Sequence, residues 1–370
     1  MRRAVGLAVA YLVASVSGGL YWTAMTMYCV DSGLSYAEVA LVTTAPGLFS
    51  ILSRAFGIAA DLHGARRKFA LTGLAGCALS LGLAAAVEDA RLLLIPNVLI
   101  SLTWSLVNPV IFAEAMEDVG AGKGAGLVSA AGNAGWTLSV FASGLVYREL
   151  GFPLTALVSL AILLLSAAPM SSLSDQRGNV GLRRALSVGL ESLFKLSRRE
   201  RRALVSLLAF FIAYFGCSTI WAVKLYNALG RDPALYSAVL GLSGIVASAS
   251  SVAAGALADR AGAWAALGVA ATVYTFTNAM FAFLEDPTGL SLAYLAPVWS
   301  FSITALYALL GSRGSSASAA GTADAVISLA SLLSPLAGLL ADRVGVTRAL
   351  LLMNLLPALL FFITHELKEA

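Results

Sequence analysis

Two short segments decide how this chain is read: GIAADLHG (57–64) and GALADRAG (255–262). Each holds a pair of glycines seven positions apart at the end of a long apolar run. Two more segments keep the same Gly-x6-Gly spacing, GLVYRELG (144–151) and GLLADRVG (338–345). Gly57 and Gly255 are 198 positions apart, and Gly144 and Gly338 are 194 apart. One tryptophan recurs in step with them: Trp22 and Trp221 differ by 199, Trp104 and Trp299 by 195. Four landmarks agreeing within five residues describe a chain built of two equivalent halves. Within each half, the second glycine segment follows three further apolar runs, so it meets the membrane from the opposite side. An inverted pair is nested inside a parallel pair.

Composition says what those runs are. Of 370 residues, 59% are hydrophobic and 12% charged, with a mean hydropathy of +0.85. A soluble domain carries about 25% charged residues, so a soluble enzyme is excluded, as are disordered, collagen-like and disulfide-built chains. Cys29, Cys77 and Cys217 sit apart within apolar runs and offer neither a disulfide framework nor metal-ligand spacing. Charge-free runs cover 4–30, 69–87, 92–113, 124–147, 150–174, 203–223, 233–258, 261–284, 287–312 and 349–364. Two more, 39–60 and 314–341, are interrupted only by Arg54 and Asp324. A bilayer crossing takes about 20 apolar residues, so twelve helical spans are expected. The first, after Arg2 and Arg3, is too long for the apolar core of a signal peptide.

Lysine and arginine placement orients the spans. With the N-terminus inside, one face holds Arg2, Arg3, Arg66, Arg67, Lys68, Lys123, eight residues of 173–202, Arg260, Arg313 and Lys368, which makes 17. The other holds Arg91, Arg148, Arg231, Arg343 and Arg348, which makes five. Both termini are therefore expected in the cytoplasm, with the protein in the plasma membrane. The stretch 173–202 carries eight basic and three acidic residues, and Leu182, Leu186, Leu190 and Leu193 make an apolar stripe along it. It reads as an amphipathic helix on the inner leaflet, between six-span bundles at 1–172 and 203–370. Nucleic acid is not an expected partner of this basic run.

The segment 57–67 resembles the signature loop of the major facilitator superfamily, Gly-x-Leu-Ala-Asp-Arg-x-Gly-Arg-Lys/Arg. Gly57, Ala60, Asp61, Gly64, Arg66 and Arg67 follow it, with departures at Ala59 and Leu62. Gly255, Leu257, Ala258, Asp259, Arg260 and Gly262 match its second copy. That family is itself a standard example of nested repeats. The resemblance extends to span count, repeat and basic linker. It implies an all-α fold of twelve spans in two six-helix bundles that rock about a central site. It also implies that Asp61, with Arg66, latches onto span 11 near Gly321 and Thr322. The segment 338–345 fits the signature equally well, yet the span count places it on the outer face.

The resemblance implies further that spans 1, 4, 7 and 10 line the cavity. Polar and aromatic side chains recur at helical spacing in each. Span 1 carries Tyr11, Ser15, Gly18, Trp22 and Met25; span 4 carries Asn97, Ser101, Trp104 and Asn108. Span 7 carries Tyr214, Cys217, Trp221 and Lys224; span 10 carries Trp299, Ser300, Thr304 and Tyr307. The competing reading of these stripes is interfacial belts and helix packing. Lys224 either snorkels at the outer face or draws anions to the mouth of the cavity. No Asp or Glu falls in the middle of these four spans, so a neutral or anionic organic solute is expected. Proton coupling would fall to Asp324 or Glu114. Arg54 either snorkels or pairs with Glu114, Glu117 or Asp118. No HExxH, GxSxG or paired-aspartate motif is present, so no enzyme, cofactor or metal is expected. The chain reads as a monomeric secondary transporter of a small solute in a lipid bilayer. The alternatives are a proton-coupled efflux pump for apolar drugs, although helix 5 lacks the Gly-Pro signature of many such pumps, and a transporter-like sensor.

Overall fold

The computed structural model describes residues 2–171, 173, 175, 180–192, 198–311 and 316–357. Within these, the side chains of 2, 48, 121–123, 125, 192, 198–206, 307, 310–311 and 316–325 lie outside the description. The described backbone is helical, with no strand among the described residues. Ten stretches are long and apolar enough to cross a bilayer.

Those ten, one of them broken in two, and one shorter apolar helix account for the twelve expected spans. Ala121–Leu165 runs 45 residues, about 67 Å at 1.5 Å per residue, which is over twice the membrane core of ~30 Å. It is broken at Gly151, whose φ of 70° and ψ of 175° are not helical, and Pro153 follows. Spans 5 and 6 therefore meet at a sharp turn there. The last span starts at Val346 and is apolar through Pro357, where the description ends.

The remaining spans are Arg2–Asp31 (1), Tyr36–His63 (2), Arg66–Ala85 (3), Ala90–Val119 (4), Arg198–Ala228 (7), Pro233–Ala261 (8), Ala263–Phe283 (9) and Ser316–Val344 (11). Span 10 comes in two pieces, Pro287–Tyr294 and Val298–Gly311. Span 2 also changes form, with a 3-10 stretch at Ala45–Ile51 between two α-helical pieces. The helix of span 7 begins at Arg198, so the basic residues before 203 continue it instead of belonging to the linker.

The linker helix, Leu182–Ser192, packs on the second helical piece of span 2. Its seated face differs from the expected leucine stripe. Ala185 and Gly189 are buried and Leu186 is half-buried, while Leu182 and Leu190 are exposed. Small residues let two helix backbones approach closely, which the leucines could not. Leu193 lies outside the described residues.

Asp175 and His63 fix where the linker starts. The Asp175 carboxylate accepts from the Arg67 amide at 3.0 Å, at the first turn of span 3. His63 Nδ1 lies 3.0 Å from the Val180 carbonyl. The face bearing this linker is called the linker face below, and the opposite one the far face. Asp342 lies at the far face beside Tyr36, which agrees with the span count.

Candidate functional site

At the linker face, the first glycine segment is locked into its own half. Arg66 is almost buried and makes a two-pronged bond to Glu117 of span 4, at 2.6 and 2.7 Å. Its Nε donates to Asp61 at 2.7 Å. Glu114 sits 3.4 Å from Arg66 and 3.0 Å from Arg3 of span 1. Asp118 accepts from the Ala4 amide. A planar guanidinium suits such paired carboxylates, and here it joins spans 1 to 4. Glu114, Glu117 and Asp118 are thus engaged by Arg66, Arg3 and Ala4. The span 11 positions expected to meet Asp61, Gly321 and Thr322, lie outside the described side chains, as does Asp324. Arg67 is exposed, and Gly64 closes span 2 with a left-handed turn. In the second copy, Asp259 and Arg260 are exposed, with no ion pair among the described residues, and Gly262 starts span 9.

The far face is built differently. Span 2 begins there, and a helix start leaves its first amides without partners. Ser35 Oγ accepts from the Glu38 amide, while Glu38 accepts from the Ser35 amide, a capping box. The Tyr36 and Ala37 amides donate to the two carboxylate oxygens of Asp342, each at 3.0 Å. Asp342 belongs to the other half of the chain. A carboxylate at a helix N-terminus is favoured by the helix dipole as well. Gly338, one turn earlier, lies against the backbone of Tyr36 and Ala37; a Cβ there would come within 2.7 Å of it.

The same arrangement recurs in the symmetry-related pair of spans. A Cβ on Gly144 of span 5 would fall on the Pro233 carbonyl, in the first turn of span 8. From there a seam runs inward: Ser143 and Ser237 hydroxyls at 3.0 Å, then Phe141 on Gly241, then Thr137 on Gly244. Pro233 to Gly244 is eleven residues, about 16 Å of helix, or half the membrane core. Tyr226 of span 7 donates to Asp31 of span 1 at 3.1 Å, and Thr44 meets Thr219 at 3.1 Å. Among the described residues, the hydrogen bonds joining the halves lie in the far portion.

Near the midplane, Tyr11 donates to Asn108 at 3.0 Å, with its ring 5.8 Å from Trp104 and 5.6 Å from Phe112. In the other half, Tyr214 stacks on Trp299 at 5.8 Å with Phe215 beside them. The ring pairs among the described residues stay within one half. Thr304 and Trp22 are half-buried. Ser15 packs on Gly135 of span 5.

Six expected cavity residues direct their polar atoms elsewhere: Asn97 accepts from Tyr21 and donates to the Val42 carbonyl of span 2, Cys217 accepts from Tyr274 of span 9, and four more behave alike. Trp221 donates to Asn278 of span 9 at 2.9 Å, and Asn278 in turn donates to the Leu350 carbonyl and to Asn354 of span 12. Lys224 donates to Glu285 at 2.8 Å and to the Phe281 carbonyl. Ser300 donates to the Ala247 carbonyl of span 8. Ser101 meets Ser50 of span 2 at 3.3 Å. Tyr307 lies outside the described side chains. Lys224 instead borders a far-face hollow of about 550 Å³ with Tyr36, Asn227, Glu285 and Arg348.

Sequence reading missed Asn278, an amide isolated in the apolar run TVYTFTNAMF (272–281) that could have flagged it. Asp31, which accepts from both Tyr147 and Tyr226, was also missed.

A multi-pass, all-α membrane protein whose first and second halves meet at the far face among the described residues has the architecture of a membrane transporter. The chain belongs to the Major Facilitator Superfamily, whose family model matches residues 7–312. Its fold is similar to that of the nucleoside transporter NupG, with a TM-score of 0.78, 14% identity and full coverage of both chains. It also resembles the human organic anion transporter MFSD10, with a TM-score of 0.71 and 16% identity, covering 98% of this chain and 99% of that one. A proton-dependent oligopeptide transporter gives a TM-score of 0.72 at 13% identity, covering 98% and 96%. Among curated proteins, no sequence matches it.

Proposed function

We propose that this protein is a secondary transporter that carries a small neutral or anionic organic solute by alternating access, and that the conformation described here is closed at the far face. One observation carries the reading: among the described residues, the glycine segments at the far face clasp the opposite half, whereas their counterparts at the linker face meet only their own half or no neighbour. Gly57 packs on Pro109 of its own half, and no described residue lies near a Cβ on Gly255. A binding site between two rocking halves needs one seam closed while the other is open. The bundles are taken as 1–172 and 203–370, and the positive-inside rule makes the linker face cytoplasmic at the plasma membrane.

The solute class rests on the lining. Tyr11, Trp104 and Asn108 cluster in one half and Tyr214 and Trp299 in the other, offering hydroxyl, amide and ring surfaces to a solute between them. No carboxylate stands in the middle of spans 1, 4, 7 and 10 to hold a cation. Of the two proton-coupling candidates, Glu114 is the weaker, because Arg3 and Arg66 already pair with its carboxylate.

A thermal-shift screen of the purified protein against solute libraries would select a ligand. Counterflow of that labelled solute in proteoliposomes is then expected. Gly338→Val, which blocks the far-face seam without touching the cavity, is expected to abolish counterflow while the protein still melts cooperatively. Specific binding without counterflow in the unaltered protein would instead mark a sensor.

A further inference from the structure

The linker helix has a seat, and the seat lies on a helix that both halves use. Span 11 packs along the far portion of span 2 and reaches its second helical piece, Leu52–His63. The linker helix covers that same piece from the linker side. Gly189 rests on the Ala55 backbone so closely that a Cβ would fall on the Ala55 carbonyl. Ala185, one turn earlier, is fully buried.

On the side away from span 2, Arg183, Arg184 and Ser187 are exposed. Val188 and Leu190, on the two flanks, are 42% and 45% exposed. This is a helix with a small-residue face on protein, apolar flanks and a cationic back. It stands on the face to which the positive-inside count assigns 17 of the 24 basic residues, and its own linker, before span 7 begins at Arg198, carries four basic against two acidic residues. The complement of such a surface is a leaflet rich in anionic headgroups.

We propose that the linker helix is a docking surface for anionic lipid, and that lipid bound there holds it on span 2 as a wedge that keeps the linker face open. Span 11 has to approach the linker portion of span 2 when that face closes, and the wedge occupies the approach. Anionic lipid therefore favours the far-closed state. The proposal rests on the alternating-access reading above.

The test places Ser237→Cys, at a fully buried position of the far seam, in a background without Cys29, Cys77 and Cys217. Labelling by a bulky maleimide is followed in nanodiscs of phosphatidylcholine alone and of phosphatidylcholine mixed with phosphatidylglycerol. Labelling is expected to be roughly ten-fold faster without the anionic lipid, as two arginines near a charged surface allow. Arg183→Gln with Arg184→Gln, both exposed and outside the core, is expected to erase the difference between the two discs. Gly189→Leu is expected to speed labelling in both discs. Asp342→Asn serves as the control, since it opens the seam directly.

If Asp342→Asn speeds labelling while lipid composition and the linker variants do not, the wedge is overturned and alternating access stands. Equal labelling across all variants, Asp342→Asn included, overturns the underlying reading as well. A lipid effect that survives the double arginine variant assigns the lipid site elsewhere and overturns the docking surface. If Gly189→Leu fails to fold, the arginine variant and the two discs decide the matter alone.

Discussion

The four glycine segments share one spacing but meet two structural fates. At the far face, Gly144 and Gly338 each press on the first turn of a helix in the other half, and Asp342 adds two charged hydrogen bonds. At the linker face, Gly57 and Asp61 are held by Pro109 and Arg66 of their own half, and Asp259 and Arg260 are exposed. GLLADRVG at the far face and GALADRAG at the linker face are nearly the same words. Composition therefore does not explain why one clasps and the other does not. On the proposed alternating-access reading, the sequence supplies latches at both faces and a given state uses one set.

The sharpest way to break this contrast is at Arg66. Replacing it with alanine leaves Glu114 buried and Glu117 without its forked partner, a change worth about 3–5 kcal/mol when a buried ion pair loses one member. Thermal unfolding in detergent should show a large loss of stability. An unchanged transition would mean that the linker-face segment does not anchor its half.

Asp342→Asn acts on the far face instead. It keeps the shape and removes the charge, and hydrogen bonds to charged groups contribute about 1.5–3 kcal/mol. The closed-to-open ratio should fall roughly ten- to hundred-fold, read as faster labelling of Ser237→Cys, with little change in melting. Labelling at the original rate would remove Asp342 from the seam.

Smaller effects sharpen the picture. Tyr11→Phe removes one hydrogen bond to Asn108, a loss of about 0.5–1.5 kcal/mol. It should weaken solute binding in a titration more than it lowers the melting temperature; the reverse ranking would make Tyr11 a packing residue. Asp61→Asn touches a half-exposed pair within one half, where the stability change should stay below about 1 kcal/mol. It should slow transport without speeding far-face labelling. Normal transport kinetics would deny the linker-face latch any part in the cycle.

Span number and the doubled halves were legible because they depend on counting: charge-free runs, recurring glycines and tryptophans. Which neighbour a stripe faces was not. Trp221 and Lys224 share a helical face, as their spacing requires, but that face meets Asn278 of span 9 and Glu285 just beyond its end. Periodicity defines a face and is silent about the helix opposite. The linker helix teaches the same lesson, since its leucines were the visible stripe and Ala185 and Gly189 form the seat. The bond from Asp342 to Tyr36 joins residues 306 positions apart, and no local pattern reports that. The glycine segment at 338–345 nevertheless marked the place.

Electron–electron resonance distances between spin labels test the central claim most directly. One pair, at Ser32 and Asn227, spans the two halves at the far face; another, at Lys68 and Arg260, spans them at the linker face, and all four positions are exposed. Alternating access predicts that Asp342→Asn lengthens the first distance and shortens the second in the same sample. Two distances that stay fixed, or that lengthen together, would contradict it.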